Sequence, residues 1–327
     1  MPTRIGLLSS AHLHAAGYIS ALRRIEGCEF VGLWDDDVAR AREFAAKWGG
    51  EVFAQPSDLL SQCEAVIVAS ENRKHADHVA LAAEFGLPSM CEKPLVATRD
   101  ERDRMFEAVD RGGTWVMTAF PTRFSPAFQR LLQRVRADEI GPIVGICATN
   151  RGTCPLGWFV ETAQSGGGAA IDHVVHVADL LSVLTGRLPR RVTSFMGNRI
   201  YGESWEDSAL LTMEYDDGLF ATLDSSWSRP KSYKTWGDVT MNVVGERGVI
   251  EMDMFAQAFD VYANSAMRHG VASYGSDLDL GLVSEFVSCV RTGSTPPISR
   301  DSGWNAVALA LAAYESARSG SPVEVVY

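Results

Sequence analysis

Asp172, His176 and Asp179 fall at i, i+4 and i+7 within the stretch SGGGAAIDHVVHVADLLSVLT, which runs from Ser165 to Thr185. That spacing puts all three on one face of an α-helix. A carboxylate one turn before an imidazole can orient the ring and raise its basicity, which is what a proton-transferring histidine needs. The stretch carries no Lys, Glu or Arg, and Ala, Ile, Val and Leu recur on every face. This predicts a helix buried all round, in which each polar residue needs a reason to be there. The plainer alternative is a solvated stripe or a satisfied core histidine; the missing Lys and Glu weigh against the first.

Two further groups have reactive side chains. Pro88 to Cys91 reads as a strand that ends abruptly in Glu92, Lys93 and Pro94. A lysine there is placed to act at a strand end, though an ordinary surface lysine fits the same position. His12 and His14 form an HxH, and with His75, His78, His173 and His176 they invite a metal reading. No Cys lies at ligand spacing and neither HxH nor HxxH brings the third ligand that catalytic zinc requires, so no metal is expected. His14 is read instead as facing a cofactor or the substrate mouth.

The elements that must position these residues begin with a strand over Arg4–Leu8, a tight turn, a helix through Ala16, Ile19 and Leu22, and a second strand over Glu29–Trp34 closed by Asp35, Asp36 and Asp37. This is how a dinucleotide-binding fold opens, with an acid about 20 residues beyond the glycine loop to hold the adenosine ribose hydroxyls. From His14 to Asp35 the step is 35 − 14 = 21 residues. The loop itself departs from G-x-G-x-x-G, since Ser9, Ala11 and His14 stand at the glycine positions. Ser and Ala are small enough to let a pyrophosphate approach the helix N-terminus. Asp36 and Asp37 would repel a 2′-phosphate and no basic residue precedes Arg40, so NAD is expected over NADP. Helix and strand alternate to residue 119, with a capping box at Thr98 and Glu101 and a continuous apolar strand at Ala65–Ala69. The fold class is α/β: a doubly wound, Rossmann-type parallel sheet over residues 1–119. Beyond it, Ser125 and Pro126 open a helix, and six predicted strands follow the buried helix, the second and third joined at Asp216–Asp217–Gly218. Residues 120–327 are therefore expected to form an α+β domain with a large, mostly antiparallel sheet.

Composition narrows the partners. A net charge of −11 over 327 residues, with no run of more than two adjacent basic residues, argues against nucleic acid. Six scattered cysteines without a CxxC pair fit a reducing compartment. The start, MPTRIGLLSSAHLH, lacks a signal-peptide core and no run of about 18 apolar residues occurs, so a cytoplasmic protein without a membrane partner is expected.

With these residues in place, the chain resembles the Gfo/Idh/MocA family of nicotinamide-dependent oxidoreductases almost end to end. Glu92, Lys93 and Pro94 match its EKP motif; Gly166, Gly167, Gly168, Asp172 and His176 match GGGxxxDxxxH. Ser70 and Asn72 before His75, the RFSP run at Arg123–Pro126, Glu206 with Asp207, and AAYESARSG at Ala312–Gly320 add to it. The chain departs from the family at the glycine loop and at Glu71, where proline is usual. The resemblance implies that Lys93, Asp172 and His176 form the catalytic set and meet at the nicotinamide. It places the cofactor against Ser9, Ala11, His12, His14, Asp35, Ser70, Asn72, His75, Glu92 and Lys93. Arg123, Trp158, Phe159, Asp172 and His173 are expected on the substrate side. The implied reaction moves a hydride between a sugar, polyol or inositol-like hydroxyl and the cofactor, in a homodimer or homotetramer. A lyase, deglycosidase or epimerase working by transient oxidation is the alternative, and a non-catalytic dinucleotide-binding regulator a more distant one.

Overall fold

Short apolar strands alternating with helices build the first sheet of the computed structural model, which describes residues 2–265 and 267–327. Its six strands are β1 (Thr3–Leu8), β2 (Cys28–Trp34), β3 (Glu51–Val52), β4 (Ala65–Val68), β5 (Ser89–Cys91) and β6 (Val116–Thr118), all parallel in the order β3-β2-β1-β4-β5-β6. Every residue of β4 is buried, as its unbroken apolar run requires of a strand covered on both faces. The strand order reverses between β1 and β4, so the crevice for a ligand opens at their carboxyl ends, where Ser9 and Ser70 follow. Helices α1 (Ala15–Leu22), α2 (Val38–Trp48), α3 (Pro56–Leu60), α4 (His75–Glu84) and α5 (Arg99–Arg111) complete the winding. Local chemistry sets their starts: Asp37 accepts from Ala39 N and Arg40 N at the head of α2, and Thr98 and Glu101 form a reciprocal capping box on α5.

After α6 (Pro126–Arg136), capped by Ser125, come β7 (Ile143–Gly152), the short α7 (Thr162–Ser165) and α8 (Ala169–Thr185). Strands β8 (Arg191–Gly197), β9 (Ser208–Glu214), β10 (Phe220–Ser226), β11 (Gly237–Gly245) and β12 (Gly248–Asp253) join β7 and the final β15 (Val323–Glu324) in a seven-stranded sheet ordered β12-β11-β7-β10-β9-β8-β15. Only β7 and β10 run parallel; the other neighbours are antiparallel. Gly218, at φ 86°, makes the β9–β10 turn. A separate hairpin pairs β13 (Ala258–Ala263) with β14 (Arg268–Ser273); β14 has no counterpart among the strands read from the sequence. Fourteen of the residues of α8 are buried, the all-round burial its composition predicts. The helical stretch Thr162–Thr185 is apolar enough to pass for a membrane span, at a mean hydropathy of 1.3, but 89% of that window is buried inside the fold, so it is a core helix.

The chain divides into two units, each assembled from three segments: Met1–Pro121, Gly157–Gly167 and Leu278–Val307 form one, and Thr122–Leu156, Gly168–Asp277 and Ala308–Tyr327 the other. A single boundary after residue 119 does not describe this arrangement. Helix α9 (Leu278–Thr292) lies far along the chain yet packs Leu282, Val283, Phe286 and Val287 into the first unit. Phe286 meets Trp115 edge-on at 5.8 Å, and Arg291 donates to Thr3 Oγ1 and Glu26 O, each at 2.8 Å. The last helix, α10 (Arg300–Ser319), passes from the first unit into the second.

Candidate functional site

In the first unit, the loop after β1 is built on the acid that ends β2. Asp35 is buried, and its Oδ2 accepts from Ser10 N at 2.8 Å, Ser10 Oγ at 3.0 Å and Ser9 Oγ at 3.3 Å. Ser9 stands where the first glycine is expected and takes a left-handed φ of 65°. For a non-glycine residue that conformation costs roughly 1 kcal/mol, and the hydroxyl's bond to Asp35 offsets it. Arg40, one turn into α2, grips the same carboxylate through Nε–Oδ2 at 2.9 Å and Nη2–Oδ1 at 2.6 Å. Burial alone would push the Asp35 carboxyl up; the Arg40 fork and the N–H groups of Ser10 and Asp37 outweigh it and hold the pKa down at about 2. Arg40 also reaches Glu71 at 3.1 Å and Asp36 at 3.0 Å, and Lys74 bridges Glu71 and Asp36. Glu71, at the position where proline is usual, thus belongs to an ionic cluster. The sequence spacing left this point without a cation, and the fold places Arg40 on it. A cavity of about 270 Å³ beside it is lined by Ser10, Arg40, Glu43, Phe44, Lys47 and Trp48.

His12 and His14 gain a third neighbour that their spacing could not show. Glu92, fully buried at the end of β5, accepts through Oε1 from His14 Nδ1 at 3.0 Å and from the Tyr18 hydroxyl, and through Oε2 from Lys93 N at 3.0 Å. His12 Nδ1 lies 3.3 Å from Oε1 and accepts from His14 N at 3.2 Å. One atom each from His12, His14 and Glu92 fall within 4.8 Å of one another, close enough to hold a metal ion. His14 and Tyr18 both donate to Oε1, so the carboxylate is a shared acceptor within this cluster. Burial raises the Glu92 carboxyl, but the His12 and His14 rings and Lys93 pull it far below its usual range. Burial likewise lowers His14 while Glu92 raises it, and the net is a raised pKa.

Trp158 and Phe159, expected on the substrate side, pack on this loop. Trp158 Nε1 donates to Ala11 O at 3.1 Å, the two rings stack at 3.9 Å, and His12 lies 5.2 Å from Phe159. His75 is fully buried between Pro94 O at 2.8 Å and Ser70 O at 3.2 Å, a tie between the segments carrying Lys93 and Ser70. Asn72 Nδ2 donates to Ser165 O at 2.8 Å. Lys93 is 4% exposed.

In the second unit, α8 presents Asp172 to Trp227 and His173: Trp227 Nε1 donates to Oδ2 at 3.0 Å, and His173 Nε2 lies 3.2 Å from it. The adjacent residue, His173, is therefore an imidazole neighbour of this carboxylate; its Nδ1 faces Asn150 O at 3.1 Å, and its ring meets Trp227 and Trp236 edge-on. His176 is buried one turn on. Asp179, the third residue of that spacing, is held in both oxygens by Arg123, through Nε at 2.6 Å and Nη2 at 2.5 Å. Nε and Nη2 of the guanidinium expected on the substrate side thus bond a buried carboxylate. Burial raises the Asp179 pKa despite this partner. Sequence analysis gave Asn150 no role; only its placement beside His173 marks it.

Known proteins match this architecture. Residues 5–120 fit the oxidoreductase family with an NAD-binding Rossmann fold, and residues 128–251 fit the GFO/IDH/MocA C-terminal domain. Over 325 residues the chain is 28% identical to D-xylose 1-dehydrogenase (NADP(+)) 2 of Haloferax volcanii, covering 98% of this chain and 99% of that protein. It is 26% identical over 339 residues to scyllo-inositol 2-dehydrogenase (NAD(+)) of Bacillus subtilis, covering 98% and 95%. Its fold is shared with the crystal structure of GenD2 from gentamicin A biosynthesis in complex with NAD, at a TM-score of 0.90 and 21% identity over 100% of this chain and 97% of that one. Two family matches that between them take in both sheets, over a strand order and an acid at β2 that suit a dinucleotide, place the chain in the GFO/IDH/MocA oxidoreductase family.

Proposed function

We propose that the protein is a dehydrogenase that transfers a hydride between a sugar, polyol or inositol-like CH–OH group and a nicotinamide cofactor. The observation that carries this is Lys93: a buried lysine directly after β5, at the carboxyl end of a sheet whose topology binds dinucleotides. Relatives named as xylose and inositol dehydrogenases along nearly the whole chain support the substrate class. When bound, the nicotinamide supplies the hydride acceptor. Ser9 and Ala11 leave room for its pyrophosphate, and the ionised Asp35 suits ribose hydroxyls. His176 takes the hydroxyl proton, Asp172 orients the substrate or the base, and Lys93 donates to the reacting oxygen as negative charge develops there.

NAD is the proposed partner. Around Asp35, three carboxylates (Asp35, Asp36, Glu71) face two cations (Arg40, Lys74), so the local charge is 2 − 3 = −1, unfavourable to a 2′-phosphate. We further propose that the subunit pairs with itself through the outer face of the seven-stranded sheet, where Phe195 and Leu210 sit opposite each other at 74% and 55% exposure. Six free cysteines fit a cytoplasmic setting. The test is a screen of polyols, inositols and aldoses with NAD, followed at the NADH absorbance. Turnover in the native enzyme with a loss of about 10²-fold or more in Lys93→Ala is expected. Unchanged turnover in Lys93→Ala, or product formed without NADH, would overturn the proposal.

A further inference from the structure

The first four N–H groups of an α-helix have no partner within it, and they are usually met by the side chain of the N-cap residue. Helix α8 has Gly168 at its N-cap, which offers no side chain. All four groups are nonetheless paired, by two residues remote in sequence. Gly168 N donates to Glu206 Oε1 at 2.7 Å and Ala170 N to the same oxygen at 3.1 Å. Ala169 N donates to the Glu206 carbonyl at 3.0 Å, and Ile171 N to the Tyr314 hydroxyl at 3.2 Å. Tyr314 in turn donates to Glu206 Oε1 at 2.5 Å. Burial and the neighbouring Glu206 push the Tyr314 pKa well above its usual value, so the phenol stays a donor. The arrangement also explains the glycine: a Cβ at Gly168 would lie 2.1 Å from the Glu206 carbonyl oxygen.

The first intrahelical bond runs from Asp172 N to Gly168 O at 3.3 Å. Gly168, Asp172 and His176 are successive steps of four residues, so the anchor, the acid and the imidazole share one face and one register. We infer that Glu206 and Tyr314 are positioning residues for the reaction: they fix where α8 starts, and thereby the depth and rotation at which Asp172 and His176 are presented. This rests on the dehydrogenase reading for its catalytic consequence, but not for the anchor itself. A displacement of about 1 Å at reacting groups is enough to lower a rate by about 10²-fold.

The experiment compares Glu206→Ala, Glu206→Gln and Tyr314→Phe in the full chain. It measures kcat, the cofactor KM, the isotope effect with substrate deuterated at the oxidised carbon, and amide hydrogen exchange over residues 168–172. Glu206→Ala is expected to lose about 10²-fold in kcat with a larger isotope effect and little change in the cofactor KM, and its amides to exchange fast. Glu206→Gln keeps a carbonyl oxygen in place of Oε1 and should stay within about 5-fold of the native enzyme; Tyr314→Phe should fall between the two. Equal losses in Glu206→Ala and Glu206→Gln, native kcat in Glu206→Ala, or unaltered exchange at Gly168–Ile171 would each overturn the inference. If Glu206→Ala does not fold, Tyr314→Phe decides through the same kcat and exchange readouts. Should the native protein oxidise no polyol, the dehydrogenase reading fails, and loss or retention of amide protection alone upholds or overturns the anchor.

Discussion

Replacing Arg123 by Ala tests whether this guanidinium is a clamp in the second unit or a substrate ligand. Its two bonds to Asp179, at 2.6 and 2.5 Å, join a side chain 15% exposed to one that is 0% exposed. Removing one partner of a buried pair strands the other charge, which typically costs about 3–5 kcal/mol. At roughly 2–4 °C per kcal/mol for a domain of this size, Tm should fall by roughly 6–20 °C. The pH dependence has a definite sign. Burial holds the folded-state pKa of Asp179 above its unfolded value even with Arg123 in place. The ionised carboxylate therefore costs stability above that pKa, and the cost fades as pH falls through it. Without Arg123 the folded pKa rises further, so the variant's deficit should be larger at neutral pH than at a mildly acidic one, where Asp179 takes up a proton. Urea unfolding followed by circular dichroism at both pH values measures it, and adding Asp179→Asn to the variant should restore part of the loss at neutral pH. A deficit under about 1 kcal/mol, as for an exposed ion pair, would refute the clamp. So would a deficit that grows in acid. A raised polyol KM with native Tm would assign Arg123 to the substrate instead.

Two further outcomes follow from the first unit. Arg40→Ala removes one of the two cations facing Asp35, Asp36 and Glu71, so calorimetric titration should show NADP binding weakened by about 10–10²-fold while NAD changes by less than about 3-fold; equal effects on both would show that Arg40 does not read the 2′ position. Glu92→Gln removes a carboxylate whose pKa is held low and which keeps His14 raised. The depressed acid stabilises the fold above the carboxylate range, and the raised imidazole does so below its unfolded value of about 6.5, fading as pH climbs through its folded one. The gap in urea midpoint between native protein and Glu92→Gln should thus be widest between about pH 4.5 and 6.5 and narrow above it; a gap independent of pH would remove His14 from the linkage.

The sequence by itself determined the features that depend on neighbours along the chain. Period and capping located the box at Thr98 and Glu101, the apolar β4 and the buried α8, because each is decided within one or two helical turns or one strand. The acid at the end of β2 was legible for the same reason. The strand β14 was not, since RHGVAS shows no clear alternation and becomes a strand only against β13. What tertiary structure alone decided was partnership. Arg40 on Asp35, Glu92 beneath His14, Asp179 taken by Arg123, α9 returned to the first unit and Glu206 at the head of α8 join residues from 5 to 78 positions apart, or lie hundreds of residues from the strands they cover. A buried charge or an orphan N–H must find its counterpart in space, and periodicity along the chain carries no information about which distant residue the fold will bring to meet it.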